Sequence, residues 1–275
     1  MQKILIVGMG LIGASYAQGL TDKGFQVYGC DLNEETNKFA VECGFVCAAT
    51  TNPEEFIEIV DTIIIGLYPK DIVPFLLKYR NYFNENQVIT DVCGVKSSIC
   101  QAATLAALPA HFVGSHPMAG REKVGIKFAD KNIFKGTNFL ICPIEATDEI
   151  AVKRVEEIAI NLEFGKIHHI TPEHHDKMIA YTSQLTHAIA VSLVNSESSV
   201  DVSSFIGDSY RDLTRIAMIN ENLWSQLFFD NKEALIAEID NFQSEINRLK
   251  MALLEENNEL LVELFINSKK KREVM

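Results

Sequence analysis

Short, continuously apolar runs alternate with amphipathic stretches along the first two thirds of the chain. The runs lie at Ile4–Val7, Val27–Cys30, Thr62–Gly66, Val88–Asp91, Phe112–Ser115 and Phe139–Cys142. Runs this short and this rich in Ile and Val suit strands covered on both faces. The stretches between them, such as Leu11–Lys23, Glu34–Cys43 and Ile72–Tyr82, carry helical spacing. Thr147–Leu162 reads as one more helix and Lys166–Ile170 as a last strand. Such alternation predicts right-handed crossovers and a parallel sheet. After Thr171-Pro172 the strand-like runs stop and helical periodicity continues to the end. Proline restricts the residue before it and suits the first turn of a helix, so a boundary is expected near residue 170.

Asn231–Phe265 reads as one long helix, with Leu235, Ile239, Phe242, Ile246, Leu249 and Leu253 at alternating spacings of four and three. That seam fits packing within the chain or pairing with a second copy. A homodimer through the C-terminal helices is the expectation. The basic tail Lys269–Arg272 reads as a solvated terminus.

A formal net charge of −12 argues against nucleic acid as a partner, because phosphate backbones are repelled. Small anionic substrates stay open, since a few nearby Arg and His residues outweigh a distant field. The six cysteines form no CxxC pair, which suggests free thiols in a reducing compartment. No apolar run reaches the ~20 residues that span a bilayer, and the chain enters its strand pattern without a leader. A cytoplasmic protein with no membrane partner is expected.

Gly8-Met9-Gly10-Leu11-Ile12-Gly13 follows a strand and opens a helix. Gly8 allows the tight turn, Gly10 leaves room for a pyrophosphate, and Gly13 lets helix and strand approach. The helix N-terminus, at Leu11 and Ile12, offers free N–H groups to phosphates. Asp31 ends the second strand about 20 residues on, where an acid accepts from the adenosine ribose diol and repels a 2′-phosphate. NAD is therefore expected over NADP. The predicted fold class is an α/β N-terminal Rossmann-type parallel sheet domain, residues 1–170, followed by an all-α C-terminal domain, residues 171–275, that binds substrate and dimerises.

Three polar segments offer chemistry. His116, in Gly114-Ser115-His116-Pro117-Met118-Ala119-Gly120-Arg121-Glu122, sits at a strand's C-terminal end, where open α/β sheets bind ligands. A histidine there can serve as general base. Ser183 and His187 lie four apart on an otherwise apolar helical stretch, with Gln184 beside them. Arg211 and Arg215 are also four apart, and two guanidinium groups on one helical face can grip carboxylates. The pairs His168-His169 and His174-His175 are not expected to hold a metal, since adjacent strand residues point to opposite faces and no Cys or carboxylate stands at matching spacing.

Taken together the segments resemble the prephenate dehydrogenase family, which includes arogenate dehydrogenases. The carriers are GMGLIG, Asp91–Lys96 (DVCGVK), GSHPMAGRE, the run His175-Asp176…Ala180…Ser183…His187, and Asp212–Ala217 (DLTRIA). The resemblance implies an NAD-dependent oxidoreductase of tyrosine biosynthesis that oxidatively decarboxylates prephenate, a dianionic substrate, to 4-hydroxyphenylpyruvate. It implies that His116 accepts the 4-hydroxyl proton, that His187 holds the substrate side chain, and that Arg215, with Arg211 close by, binds a carboxylate. Glu122 would tune or gate the site, and Arg121 and Ser183 would line it. Trp224 matches a family tryptophan, read as a packing element. The family pattern has Ser where Gly94 stands, and His and Pro where Gln184 and Thr186 stand. No separate regulatory domain is expected after Phe265. The competing readings are an arogenate dehydrogenase, a β-hydroxyacid dehydrogenase or imine reductase, and a non-catalytic NAD sensor.

Overall fold

Eight strands form one sheet: β1 (Lys3–Val7), β2 (Gln26–Cys30), β3 (Ala48–Thr50), β4 (Thr62–Ile65), β5 (Val88–Asp91), β6 (His111–Pro117), β7 (Asn138–Pro143) and β8 (Lys166–His169). Their order is β3-β2-β1-β4-β5-β6-β7-β8 in this computed structural model, which describes residues 1–197 and 201–274. The first six strands are parallel, but β7 runs antiparallel to β6, with Ser115 opposite Ile141, and β8 is parallel to β7. The parallel sheet expected from the alternation is thus found, with one antiparallel neighbour pair, β6 and β7. The cause lies between β6 and β7, where the chain makes only 3-10 turns at Ile126–Phe128 and Lys131–Phe134. Antiparallel neighbours need no crossover helix. The edge strand β3, of sequence Ala-Ala-Thr, has no apolar run to announce it.

Helices α1 (Leu11–Asp22), α2 (Glu34–Glu42), α3 (Glu54–Ile57), α4 (Pro69–Lys78), α5 (Ser97–Ala106) and α6 (Glu149–Asn161) cover the sheet. Strand side chains alternate between faces, and this divides the core. Leu5, Val7, Ile63 and Ile65 meet α4 and α5 on one side. Ile4, Ile6 and Ile64 meet α1, α2 and α6 on the other. Both faces are apolar, which is why the strands read as continuous runs.

The rest is helical: α7 (Pro172–Ile179), α8 (Leu185–Asn195), α9 (Asp208–Thr214), α10 (Glu221–Asp230), α11 (Lys232–Leu254) and α12 (Asn258–Glu273). Thr171 caps α7 by accepting from the His174 amide, and Pro172 supplies its first turn. Residues 180–184 form one π-helical turn between α7 and α8. The helix expected over Asn231–Phe265 is broken, because the chain reverses at Glu255–Asn257 with Glu256 at φ +51°. Along its seam Leu235 is buried, but Ile246 and Leu253 are exposed. Leu227 of α10 joins the sheet core beside α4 and α5, with Leu223 and Trp224 packed against it. The helical half therefore stands over that face and reaches the carboxyl ends of β5 and β6. Among the described residues no helix is long and apolar enough to cross a membrane.

Candidate active site

The glycine turn has the geometry a dinucleotide needs. Gly8 has φ +91°, and a Cβ on it would lie 2.5 Å from the Gly66 carbonyl oxygen. A Cβ on Gly13 would lie 2.0 Å from the Gly8 oxygen, so only glycine allows α1 this close to β1. Gly10 faces open space, with nothing within 4 Å of where its Cβ would stand. No side chain caps α1, which leaves the first-turn amides at Leu11 and Ile12 for an anion, while the Ile12 side chain packs partly on the core. Asp31 closes β2 beside this turn. Its carboxylate accepts from the amides of Met9 and Asn33, each at 2.9 Å. An open cradle, an uncapped helix start and a fixed acid at the β2 end together fit a dinucleotide with a free ribose diol.

The chemical centre lies where β5 and β6 end. Asp91, the last residue of β5, forms a fully buried ion pair with Lys96. The Asp91 carboxylate also accepts from the Cys93 amide at 3.0 Å and the Ser115 amide at 3.3 Å, which ties β5 to β6. Lys96 stands at the N-cap of α5 without a side-chain cap. The cap comes from the helical half, since Asp176 of α7 accepts from the amides of Lys96 and Ser97, each at 2.8 Å. A carboxylate at a helix N-terminus is well placed electrostatically.

His116, near the end of β6, has its Nδ1 at 2.8 Å from His175 Nε2. His175 is fully buried, and its Nδ1 lies 2.8 Å from Asp176 Oδ1. Burial first, then His175 and the Lys96 charge, hold His116 well below the usual histidine value. Burial also lowers His175, against the pull of Asp176. Hydrogen bonding outweighs desolvation at Asp176 and keeps it below the usual carboxylate value. His116 is thus neutral at neutral pH. Its Nε2 faces Gly94, where a Cβ would stand 3.8 Å from that nitrogen and 3.3 Å from Leu227 of α10.

A second polar group comes from the helices. Trp224 stacks on His187 with ring centroids 3.6 Å apart, and it lies one helical turn before Leu227. His187 Nδ1 donates to the Ser183 carbonyl at 2.9 Å, which leaves Nε2 as an acceptor. Burial lowers His187, with the Arg215 charge adding to it, while the Ser183 carbonyl and Glu122 act against. Arg215 forms an ion pair with Glu122, six residues beyond His116, and so links the helical half to the loop after β6.

Not every candidate side chain is brought to this place. Arg211 and Arg215 are not one gripping pair, since α9 ends at Thr214 and Arg215 enters a 3-10 turn. Arg211 is exposed and held by Asp208 at 3.2 Å and the Ile206 carbonyl at 3.2 Å. Arg121 pairs with Asp130 at 2.7 Å, and the Asp130 amide is tied to Ser15 of α1. The buried Gln184 finds its partners inside the protein: it donates to the Leu227 carbonyl and accepts from Asn231. Sequence reasoning passed over His175, Asp176 and the Asp91–Lys96 pair as site residues. His175-Asp176 stands in the sequence as part of a resemblance motif with no role attached, because the contact that matters joins positions 59 apart. Four of the six free cysteines are buried, and Cys43 and Cys47 are exposed.

Residues 16–165 match the family model for the nucleotide-binding domain of prephenate dehydrogenase, and residues 171–267 match that for its dimerization domain. Prephenate dehydrogenase of Bacillus subtilis (strain 168) is 27% identical over 282 residues, covering 98% of this chain and 75% of the relative. A crystal structure of prephenate dehydrogenase from A. aeolicus, in complex with hydroxyphenyl propionate and NAD+, superposes with a TM-score of 0.90 at 30% identity. That match covers 99% of this chain and 98% of the other. Arogenate dehydrogenase of Synechocystis superposes with a TM-score of 0.85 at 26% identity, covering 99% of both chains.

Proposed function

This chain belongs to the prephenate dehydrogenase family, and from that premise we propose that its cleft oxidatively decarboxylates prephenate, with His116 as the base and Arg215 as the anion anchor. It is an NAD-dependent oxidoreductase. The observation that carries the assignment of roles is the meeting of two halves. The neutral imidazole of His116 lies at the sheet's carboxyl edge, and Arg215 from the helices pairs with Glu122 on the loop that follows β6, six residues beyond it.

When bound, NAD+ supplies the hydride acceptor. Asp31 would hold its ribose diol, and Gly10 with the start of α1 would hold its pyrophosphate. His116 takes the 4-hydroxyl proton at Nε2, so the ring oxygen becomes a carbonyl as hydride leaves the same carbon. Loss of the ring carboxylate as CO2 then returns an electron pair through the ring to that oxygen, which regains the proton from His116. Arg215 exchanges Glu122 for a substrate carboxylate, so Glu122 acts as a gate on the anchor. His187 and Ser183 border the substrate side chain. Arg211 and Arg121 are held by Asp208 and Asp130 and take no direct part in this reading.

We also propose that residues 1–170 and 171–275 work as nucleotide and substrate domains, and that α11 and α12 pair with a second copy to make a homodimer. The exposed Ile246, Met251, Leu253 and Leu254 support that pairing. The unpaired cysteines support a reducing compartment, the cytoplasm. One observation favours a second reading, arogenate as substrate: neutral His187 presents an acceptor at Nε2, which suits an ammonium group. The deciding experiment follows NADH formation with prephenate and with arogenate, and repeats it with NADP+. Turnover of prephenate with NAD+ is expected. Preference for arogenate would establish the second reading, and no turnover of either would refute both.

A further inference from the structure

A neutral imidazole can carry its proton on either nitrogen, yet a base acting at Nε2 needs the proton on Nδ1. The neighbours of His116 decide between the two. Asp176 Oδ1 and Oδ2 already receive the amides of Lys96 and Ser97. An ionised carboxylate only accepts, so its contact with His175 requires a proton on His175 Nδ1. Neutral His175 then has a lone pair at Nε2, and the group 2.8 Å away, His116 Nδ1, must donate to it. The lone pair of His116 is left at Nε2, on the side facing Gly94.

We propose that His175 and Asp176 are positioning residues for the reaction: the hydrogen-bonded chain His116–His175–Asp176 locks His116 in the tautomer whose Nε2 can take a proton. The proposal rests on the reading of His116 as base. The chain also serves the charged form. A proton arriving at Nε2 makes His116 an imidazolium, and its Nδ1–H bond to His175 strengthens, backed by the Asp176 carboxylate. Three elements hold the relay still. His116 is on β6, His175 and Asp176 are on α7, and the amides that orient Asp176 begin α5. Asn231, buried at the start of α11, donates to the Asp176 carbonyl at 2.8 Å and to Gln184 at 2.8 Å, which fixes α7 from behind. The neighbouring His174 is exposed and has no place in the chain.

The test reads the tautomer directly. Long-range 1H–15N correlation on 15N-histidine-labelled protein, with and without NAD+ at about pH 7.5, should show His116 protonated at Nδ1 and bare at Nε2. A proton on Nε2 would overturn the proposal. In parallel, His175→Leu removes the acceptor and His175→Gln keeps one in its amide oxygen. The Leu variant should lose ~10²–10³-fold in kcat with KM for prephenate and for NAD+ changed less than about threefold. The Gln variant should retain kcat within about tenfold of the parent. Parental kcat in the Leu variant would also overturn it. Should the Leu variant not fold, the tautomer and the Gln variant decide. An unaltered enzyme that turns over neither substrate refutes the assigned reaction, while the correlation spectrum still judges the relay.

Discussion

Replacing Lys96 with Met tests how the centre is held together. The Lys96 and Asp91 side chains are both 0% exposed, so water solvates neither charge. Met preserves most of the stem that packs beside Gly114 and removes only the ammonium. Asp91 would keep its amide bonds from Cys93 and Ser115 but lose its counter-charge. Leaving one member of a buried pair uncompensated costs about 3–5 kcal/mol. Urea unfolding followed by the fluorescence of Trp224, the single tryptophan, reads it out. With a slope of about 3 kcal/mol/M, the midpoint should fall by about 1 M or more. The double variant Asp91→Asn/Lys96→Met removes both charges and should recover most of the loss. Removing the Lys96 charge also relieves one of the influences that lower His116, so the acid limb of kcat/KM should move to higher pH. A loss below about 1 kcal/mol, or a double variant no better than the single, would refute the reasoning.

His116→Asn should lower kcat by ~10²–10⁴ with little change in KM, and steady-state kinetics with prephenate would expose an unneeded base. Arg215→Ala should mainly raise KM for prephenate, while Arg211→Ala, whose guanidinium serves Asp208, should change it little; equal effects would contradict the separation of the two. Because His116 is held low, kcat/KM should stay flat through neutral pH and fall only well below about 6.5. Stability follows the same sign. The unfolded chain protonates His116 and His175 from about pH 6.5 downward while the fold resists, so the urea midpoint should be maximal above that pH and decline below it. Gly13→Ala should abolish tight NAD binding or destabilise the nucleotide half, since its Cβ has 2.0 Å of room against Gly8; calorimetric titration with NAD+ showing parental affinity would count against this.

What the linear chain determined is whatever depends on near neighbours and on periodicity. Seven of the eight strands stand at the predicted runs because burial on both faces demands continuous apolar residues. Only β3, three small residues at the sheet edge, lacked that signal. The glycine turn, Asp31 and the helical character after Pro172 were legible for the same local reason. Tertiary structure decided what no spacing encodes. The sense of β7 followed from a linker that makes 3-10 turns and no α-helix, and the break at Glu256 divided the expected long helix into α11, which keeps the whole apolar seam, and α12. Arg211 and Arg215 share a helical interval on paper, yet a change of helix type sends them to different acids. The environment of His116 was least legible, because it is assembled from His175, Asp176 and Lys96 on separate elements. Proton position and charge depend on atoms within about 3 Å, and only folding brings residues 59 positions apart to that distance.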